Sequence, residues 1–229
     1  MTTNNLFTKL INGLGFITVK NMFIGLCVSS LLLTNAFAGT KPIKITEGKD
    51  YTLLSVPVQK TAEPKGKVNV KEFFMFTCPH CKDVDPFVEK QLFSNKSIDL
   101  NKIHVVWDEK SSPGFAKLNA TLELMKLHKL YAPAFAAYEA KQDLNNVDTL
   151  KKFLAKNGLK PEEITKFMAT YNSFTIVSKV SEYKVLTSKY NITGTPSFIV
   201  GDRYVVSPAK PEQSMRVIEA LVQKVNSEK

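Results

Sequence analysis

The period of the hydrophobic pattern changes several times along the chain, and the changes divide it. Met22 to Leu33 (MFIGLCVSSLLL) is almost unbroken apolar sequence, preceded by Lys9 and Lys20 and followed by Ala36-Phe37-Ala38. The first 38 residues carry no acidic side chain. A basic start, a short apolar run and small residues two apart before Gly39 form an export leader, with cleavage expected after Ala38. The run is shorter than the ~20 residues that cross a bilayer, which argues against an uncleaved anchor. Leu26 stands before Cys27 where a lipoprotein signal needs a small residue, which argues against a lipid anchor there.

Past the leader, Tyr51 to Ser55 reads as an edge strand and Pro57 to Lys67 as a loop rich in Lys, Pro and Gly. Val68 to Phe76 (VNVKEFFMF) is nearly continuous in apolar residues apart from Asn69, Lys71 and Glu72, as a strand buried on both faces would be. Cys78 to Phe93 takes a helical period through Val84, Phe87, Val88 and Phe93, and Pro86 predicts a kink. Leu100 to Trp107 is expected as a second central strand, which makes a βαβ unit with a right-handed crossover.

From Ser112 to about Thr175 no strand pattern appears. Helices are expected from Phe115 to Leu130, from Pro133, from an N-cap at Asp148 to Gly158, and from Pro161, where Glu162 and Glu163 suit a first turn. A longer helix follows from about Thr175 to Tyr190. Thr195 to Val206 reads as a hairpin turning at Gly201-Asp202. A last amphipathic helix starts at Pro211 and uses Met215, Ile218, Leu221, Val222 and Val225. The fold class is therefore α/β, with residues 39–111 and 176–229 forming a βαβ plus ββα domain and residues 112–175 an inserted all-helical domain.

Composition changes this picture little. With 44% apolar and 23% charged residues, neither a disordered chain nor a coiled coil is expected. The net charge of +10 is almost wholly lysine, since only Arg203 and Arg216 are arginine. The lysines are scattered and no groove-reading motif accompanies them, so nucleic acid is not an expected partner. Without the leader, 29 basic residues face 21 acidic ones, a net +8 that favours solubility and names no partner.

Cysteine usage changes it a great deal. Of Cys27, Cys78 and Cys81, the first is lost with the leader, and an oxidising compartment then holds one pair, Cys78-Pro79-His80-Cys81. The pair sits where a buried strand turns into a helix. Cys78 falls at the helix N-terminus, where free backbone N–H groups and the positive dipole end stabilise an anion. Cys78 is thus the expected exposed thiolate and Cys81, one turn on, its buried partner. Pro79 suits the first helical position because its missing N–H is not needed there. His80 adds a dipole or charge beside the sulfur. Zinc would need two more ligands, and the mature chain has only His80, His104 and His128 to offer, so no metal is expected. A purely structural disulfide closing so short a loop would remove little chain entropy. No glycine-rich nucleotide loop is present, and no cofactor is expected. His104 is expected to be satisfied in the core or at its edge, His128 solvated, Trp107 packed at a strand end, and Phe73, Phe74 and Phe76 in the core.

Strand, CPHC helix, strand, helical insertion, Thr-Pro opening a hairpin and a closing helix together resemble the DsbA family of periplasmic thiol oxidases. The resemblance spans residues 45 to 225 and is most specific in Lys71 to Cys81 (KEFFMFTCPHC) and Gly194 to Val200 (GTPSFIV). It implies a thioredoxin fold and a protein thiol:disulfide oxidoreductase that donates the Cys78–Cys81 disulfide to cysteine pairs of newly exported proteins. It also implies a cis peptide bond at Pro196, the backbone of Thr195 presented to an incoming substrate strand, and Glu72 as a buried acid assisting proton movement with Lys102 as its charged partner. Implied partners are reduced exported proteins and a quinone-linked, DsbB-like membrane oxidase, with the protein acting as a monomer. Threonine before the proline departs from the valine of many oxidases in the family, which leaves an isomerase or reductase of the superfamily as the competing reading. A secreted binding protein with a structural disulfide is the alternative from another class.

Overall fold

In the computed structural model, residues 43–55, 66–108 and 113–228 are described. The expected leader, its cleavage after Ala38 and most of the Pro57 to Lys67 loop lie outside them.

Among the described residues, five strands form one sheet in the order β1-β5-β4-β2-β3: β1 Tyr51–Leu53, β2 Val68–Phe74, β3 Ile98–His104, β4 Ser197–Val200 and β5 Tyr204–Val206. β2 is an interior strand and is buried along its whole length, as its apolar run requires. It pairs in parallel with β3 and antiparallel with β4, so the βαβ unit and the terminal hairpin meet along one strand. The hairpin turn, Gly201-Asp202, is tied to β2 twice. The Gly201 N–H donates to the Asn69 carbonyl at 2.8 Å, and Lys71, buried beside Asn69, is ion-paired to the Asp202 carboxylate, which also accepts from the Tyr190 hydroxyl at 2.6 Å. Lys71 and Asn69, polar positions in an apolar strand, are thus the anchor of the turn.

The helices are α1 Pro79–Phe87, α2 Pro113–Leu124, α3 Tyr131–Glu139, α4 Val147–Lys156, α5 Pro161–Tyr171, α6 Phe174–Lys189 and α7 Pro211–Ser227. Val84 and Val88 from the α1 segment join Met215, Ile218, Leu221 and Val222 of α7 against the sheet. A second buried cluster joins Phe74, Phe76 and Cys81 to α2 through α5. Phe73, Phe74 and Phe76 are all essentially inaccessible. Each contributes about 1.5–3 kcal/mol through burial, and this places the start of α1 on a rigid floor.

Several boundaries differ from expectation for local reasons. α1 ends at Phe87, and Val88–Phe93 is a π-helical turn. Pro86 has no N–H to give the Lys82 carbonyl, and the wider turn follows directly. α2 stops at Leu124 instead of Leu130, because Lys126 takes a left-handed φ of 55° and a 3₁₀ turn, His128–Leu130, leads into α3. Asn146, not Asp148, caps α4, accepting from the N–H groups of Asp148 and Thr149 at 3.0 Å each. His128 is packed against Phe93, ring centroids 4.3 Å apart, and is only partly solvated, its side chain 29% exposed. Trp107 is 46% exposed, held only at its edge by an indole N–H bond of 2.8 Å to the Ile192 carbonyl. His104 is fully buried, as expected. Its Nδ1 lies 3.1 Å from the Val105 carbonyl and its Nε2 accepts from the Phe76 N–H at 3.4 Å. Burial pushes its imidazole down to about 3, against that backbone bond.

Candidate redox site

Phe76 is anchored by His104, and the chain then turns tightly, the Cys78 N–H donating to the Met75 carbonyl at 3.1 Å. Cys78 is the N-cap of α1, with extended backbone (φ −95°, ψ 117°), and Pro79 opens the helix. The Cys78 sulfur accepts from the Cys81 N–H at 3.3 Å, so it takes one of the free donors of the first turn. The two cysteines are not joined in a disulfide; Cys78 is partly exposed and Cys81 buried. Burial pushes the Cys81 thiol up, and its contact with Cys78 adds to that. The pair is asymmetric as expected, one sulfur accessible at a helix N-terminus and one withheld.

The second wall comes from the other end of the sequence. The Thr195–Pro196 peptide bond is cis, and the Thr195 carbonyl faces Cys78, accepting from the thiol at 3.4 Å. Residues 117 positions apart in sequence thus meet at one sulfur because β2 and β4 are neighbours. His80 is exposed and shares with Thr195, Pro196, Phe198, Val206 and Pro208 a groove of about 470 Å³.

Beneath the helix lies a buried charge cluster. The parallel register places Glu72 of β2 beside Lys102 of β3. Lys102 Nζ is 2.7 Å from Glu72 Oε2 and 2.9 Å from Asp85 Oδ1, with all three side chains at most 6% exposed. The ammonium also lies over the rings of Tyr131 and Phe74, at 4.6 and 4.9 Å. One cation faces two carboxyls. Burial raises the Glu72 carboxyl above its ordinary value, Lys102 opposes this and Asp85 adds to it. Lys102 is kept charged: burial favours the neutral amine, but the attraction of both carboxylates outweighs it. Glu72 Oε1 has no hydrogen-bond partner among the described residues, as suits a carboxyl able to hold a proton.

Asp85 was not among the residues singled out from sequence. Its signal was the spacing: four residues after Cys81, it shares that residue's helix face and must turn inward with it. Cys78, Pro79, His80, Thr195 and Pro196 thus come together around the accessible sulfur, Cys81 is buried behind it, and Glu72 and Lys102 meet Asp85 in the buried charge cluster.

The profile of the Thioredoxin family matches residues 61–220. The thiol:disulfide interchange protein DsbA of Burkholderia cepacia is 30% identical over 206 residues, covering 87% of this chain and 95% of the relative. The chain belongs to the DsbA family. A DsbA of Pseudomonas syringae pv. tomato is likewise 30% identical over 90% of this chain and 96% of its own. Among solved structures, reduced DsbA1 from Neisseria meningitidis superposes with a TM-score of 0.71 at 32% identity, covering 82% of this chain and 98% of that one. The DsbA of Pseudomonas aeruginosa superposes with a TM-score of 0.67 at 27% identity. The fold is the thioredoxin fold with a helical insertion, and the chain is a thiol:disulfide oxidoreductase of the DsbA type.

Proposed function

We propose that this DsbA-family protein acts in the oxidising direction, passing a Cys78–Cys81 disulfide to cysteine pairs of newly exported proteins. The observation that carries this reading is the placement of the Cys78 sulfur: accessible, at the N-cap of α1, bonded by the Cys81 N–H and facing the Thr195 carbonyl. In the oxidised protein a substrate thiolate attacks Cys78, the S–S bond breaks, and Cys81 leaves with the electron pair and takes up a proton. A second substrate thiolate then attacks the substrate sulfur of the mixed disulfide and releases Cys78 as thiolate. The substrate loses two electrons and the enzyme gains them. A helix N-terminus stabilises that released thiolate, and whatever stabilises the reduced enzyme makes its disulfide a stronger oxidant.

The other groups serve this exchange. Pro79 lets the helix begin directly after the nucleophile, and His80 edges the groove. The Thr195 backbone beside cis-Pro196 lies where a substrate strand would pair, close to the sulfur. Glu72 holds or accepts the proton that moves as Cys81 changes state, with Lys102 fixing its position and charge. The thioredoxin-like frame is 39–111 with 176–229, and residues 112–175 form the inserted helical domain that packs over Phe76 and Cys81. A leader ending at Ala38 would deliver the mature chain to the periplasm. There a monomer would meet reduced exported proteins and be reoxidised by a DsbB-like, quinone-linked membrane protein.

The test is oxidation of a dithiol peptide by the purified, oxidised chain. Stoichiometric loss of peptide thiols is expected, with none for Cys78→Ser. If instead the protein restored activity to a scrambled, wrongly paired substrate and left the dithiol peptide reduced, isomerase action would replace this reading.

A further inference from the structure

The Cys78 sulfur touches the Thr195 carbonyl, which borders the groove described above, and Cys78 itself lines a second depression. That hollow, of about 290 Å³, shares no lining residue with the groove and is walled by Phe76, Cys78, Pro79, Phe135 and Tyr138, with Lys82 and Glu139 at its edge. Phe76 and Phe135 are buried, whereas Tyr138, near the end of α3, is 41% exposed. Its ring packs edge-on to Phe115 with centroids 5.9 Å apart, which sets its orientation. Lys82 and Glu139 are ion-paired at 2.7 Å and join α1 to α3 at this edge. Past Tyr138 the hollow continues into a shallower depression of about 530 Å³ bordered by Lys141, Gln142 and Asp143. A polar strip thus follows an aromatic hollow.

We infer that this hollow is a second subsite for the substrate chain, taking an uncharged aromatic or long aliphatic side chain beside the substrate cysteine, with Tyr138 setting the preference. This rests on the disulfide-donor reading above. A cysteine joined to Cys78 has its Cα within ~4–7 Å of the Cys78 Cα. The neighbouring residue lies about 3.5 Å further on. With one flank of the substrate over the Thr195–Pro196 groove, the other flank runs across the hollow, since Cys78 lines the hollow and touches Thr195 at the border of the groove. The volume exceeds that of a ~150 Å³ apolar cavity that accepts benzene. The edge carries one closed ion pair and no net charge, and this selects against a charged side chain, which would lose its water without gaining a partner. The occupant is thereby specified by both shape and charge.

The test uses the oxidised full chain and three dithiol peptides identical except beside the attacking cysteine: Gly on both sides, Phe before it, and Phe after it. The readout is the ratio of kcat/KM for each Phe peptide to that of the Gly peptide, which cancels any general effect of a substitution on reactivity. For the wild type, one Phe peptide should exceed the Gly peptide by roughly tenfold, the effect of burying part of one aromatic side chain. Tyr138→Ala should bring that ratio close to one, and Tyr138→Phe should retain it. Equal rates for all three peptides with the wild type, or a ratio unchanged in Tyr138→Ala, would overturn the subsite. Failure of the wild type to oxidise any of the three would instead remove the donor reading on which it rests.

Discussion

Replacing Lys102 by Met removes the one cation from a dry site that holds two carboxyls. The ammonium stands 2.7 Å from Glu72 and 2.9 Å from Asp85, and none of the three side chains is more than 6% exposed, so water cannot take its place. Breaking a buried pair from one side costs about 3–5 kcal/mol, most of it the burial of what remains. For a chain of this size each kcal/mol moves the melting midpoint by about 2–4 °C, so Lys102→Met should melt roughly 6–20 °C lower at pH 7. The loss should shrink in acid. In the variant the Glu72 carboxyl, already raised by burial, loses the Lys102 attraction that opposed the rise, so the folded state binds more protons and stability rises as pH falls toward ~4.5. Adding Glu72→Leu to Lys102→Met should return part of the loss at pH 7, because a paired site is then replaced by an apolar one. Thermal unfolding of the reduced chain at pH 7 and pH 5, followed by circular dichroism, reads all of this. A variant that melts within ~2 °C of the wild type at pH 7 would show that the cluster is not the dry, compensated site described above.

Other expectations follow from the same geometry. In the reduced chain, iodoacetamide at pH 8 should modify Cys78 and spare Cys81, whose thiol is buried and pushed up; peptide mapping showing comparable labelling would refute the asymmetry. Asp85→Asn should lower the Glu72 carboxyl value, since Asp85 is one of the groups holding it up, and the carboxyl carbon shift of Glu72 across a pH titration measures it. His104 should remain neutral at pH 5, seen in its ring carbon shifts. Its folded value near 3 lies below the unfolded one, so its contribution is full above ~6.5 and falls by about 1.4 kcal/mol per pH unit below that, a slope that His104→Leu should remove. Gly201→Ala should cost roughly 1–3 kcal/mol in urea unfolding, because a Cβ there meets Val225 Cγ2 at 2.9 Å and φ is +61°.

How far the sequence spoke for itself depended on whether a feature was local. β2 was legible because seven successive residues are buried on both faces, and the Cys78 N-cap because strand, Pro79 and helix adjoin in sequence. The cis bond at Pro196 and its meeting with Cys78 came from family resemblance, since no local rule brings together positions 117 apart. The pairing of Glu72 with Lys102 likewise came from the resemblance, since it depends on the register of β2 against β3. Asp85 escaped notice because an aspartate in an amphipathic helix ordinarily faces water, and only the buried Lys102 beneath it makes the inward position favourable. The early end of α2 was equally hidden, since Leu130 keeps the apolar period while Lys126 breaks the backbone with a left-handed φ.

The reduction potential of the Cys78–Cys81 pair, from equilibration with glutathione, tests the oxidising role most directly. A thiolate favoured at the N-cap of α1 predicts a value above roughly −200 mV, toward the ~−120 mV characteristic of DsbA itself. A value near the ~−270 mV of thioredoxin would mean that this site holds its disulfide too firmly to give it away.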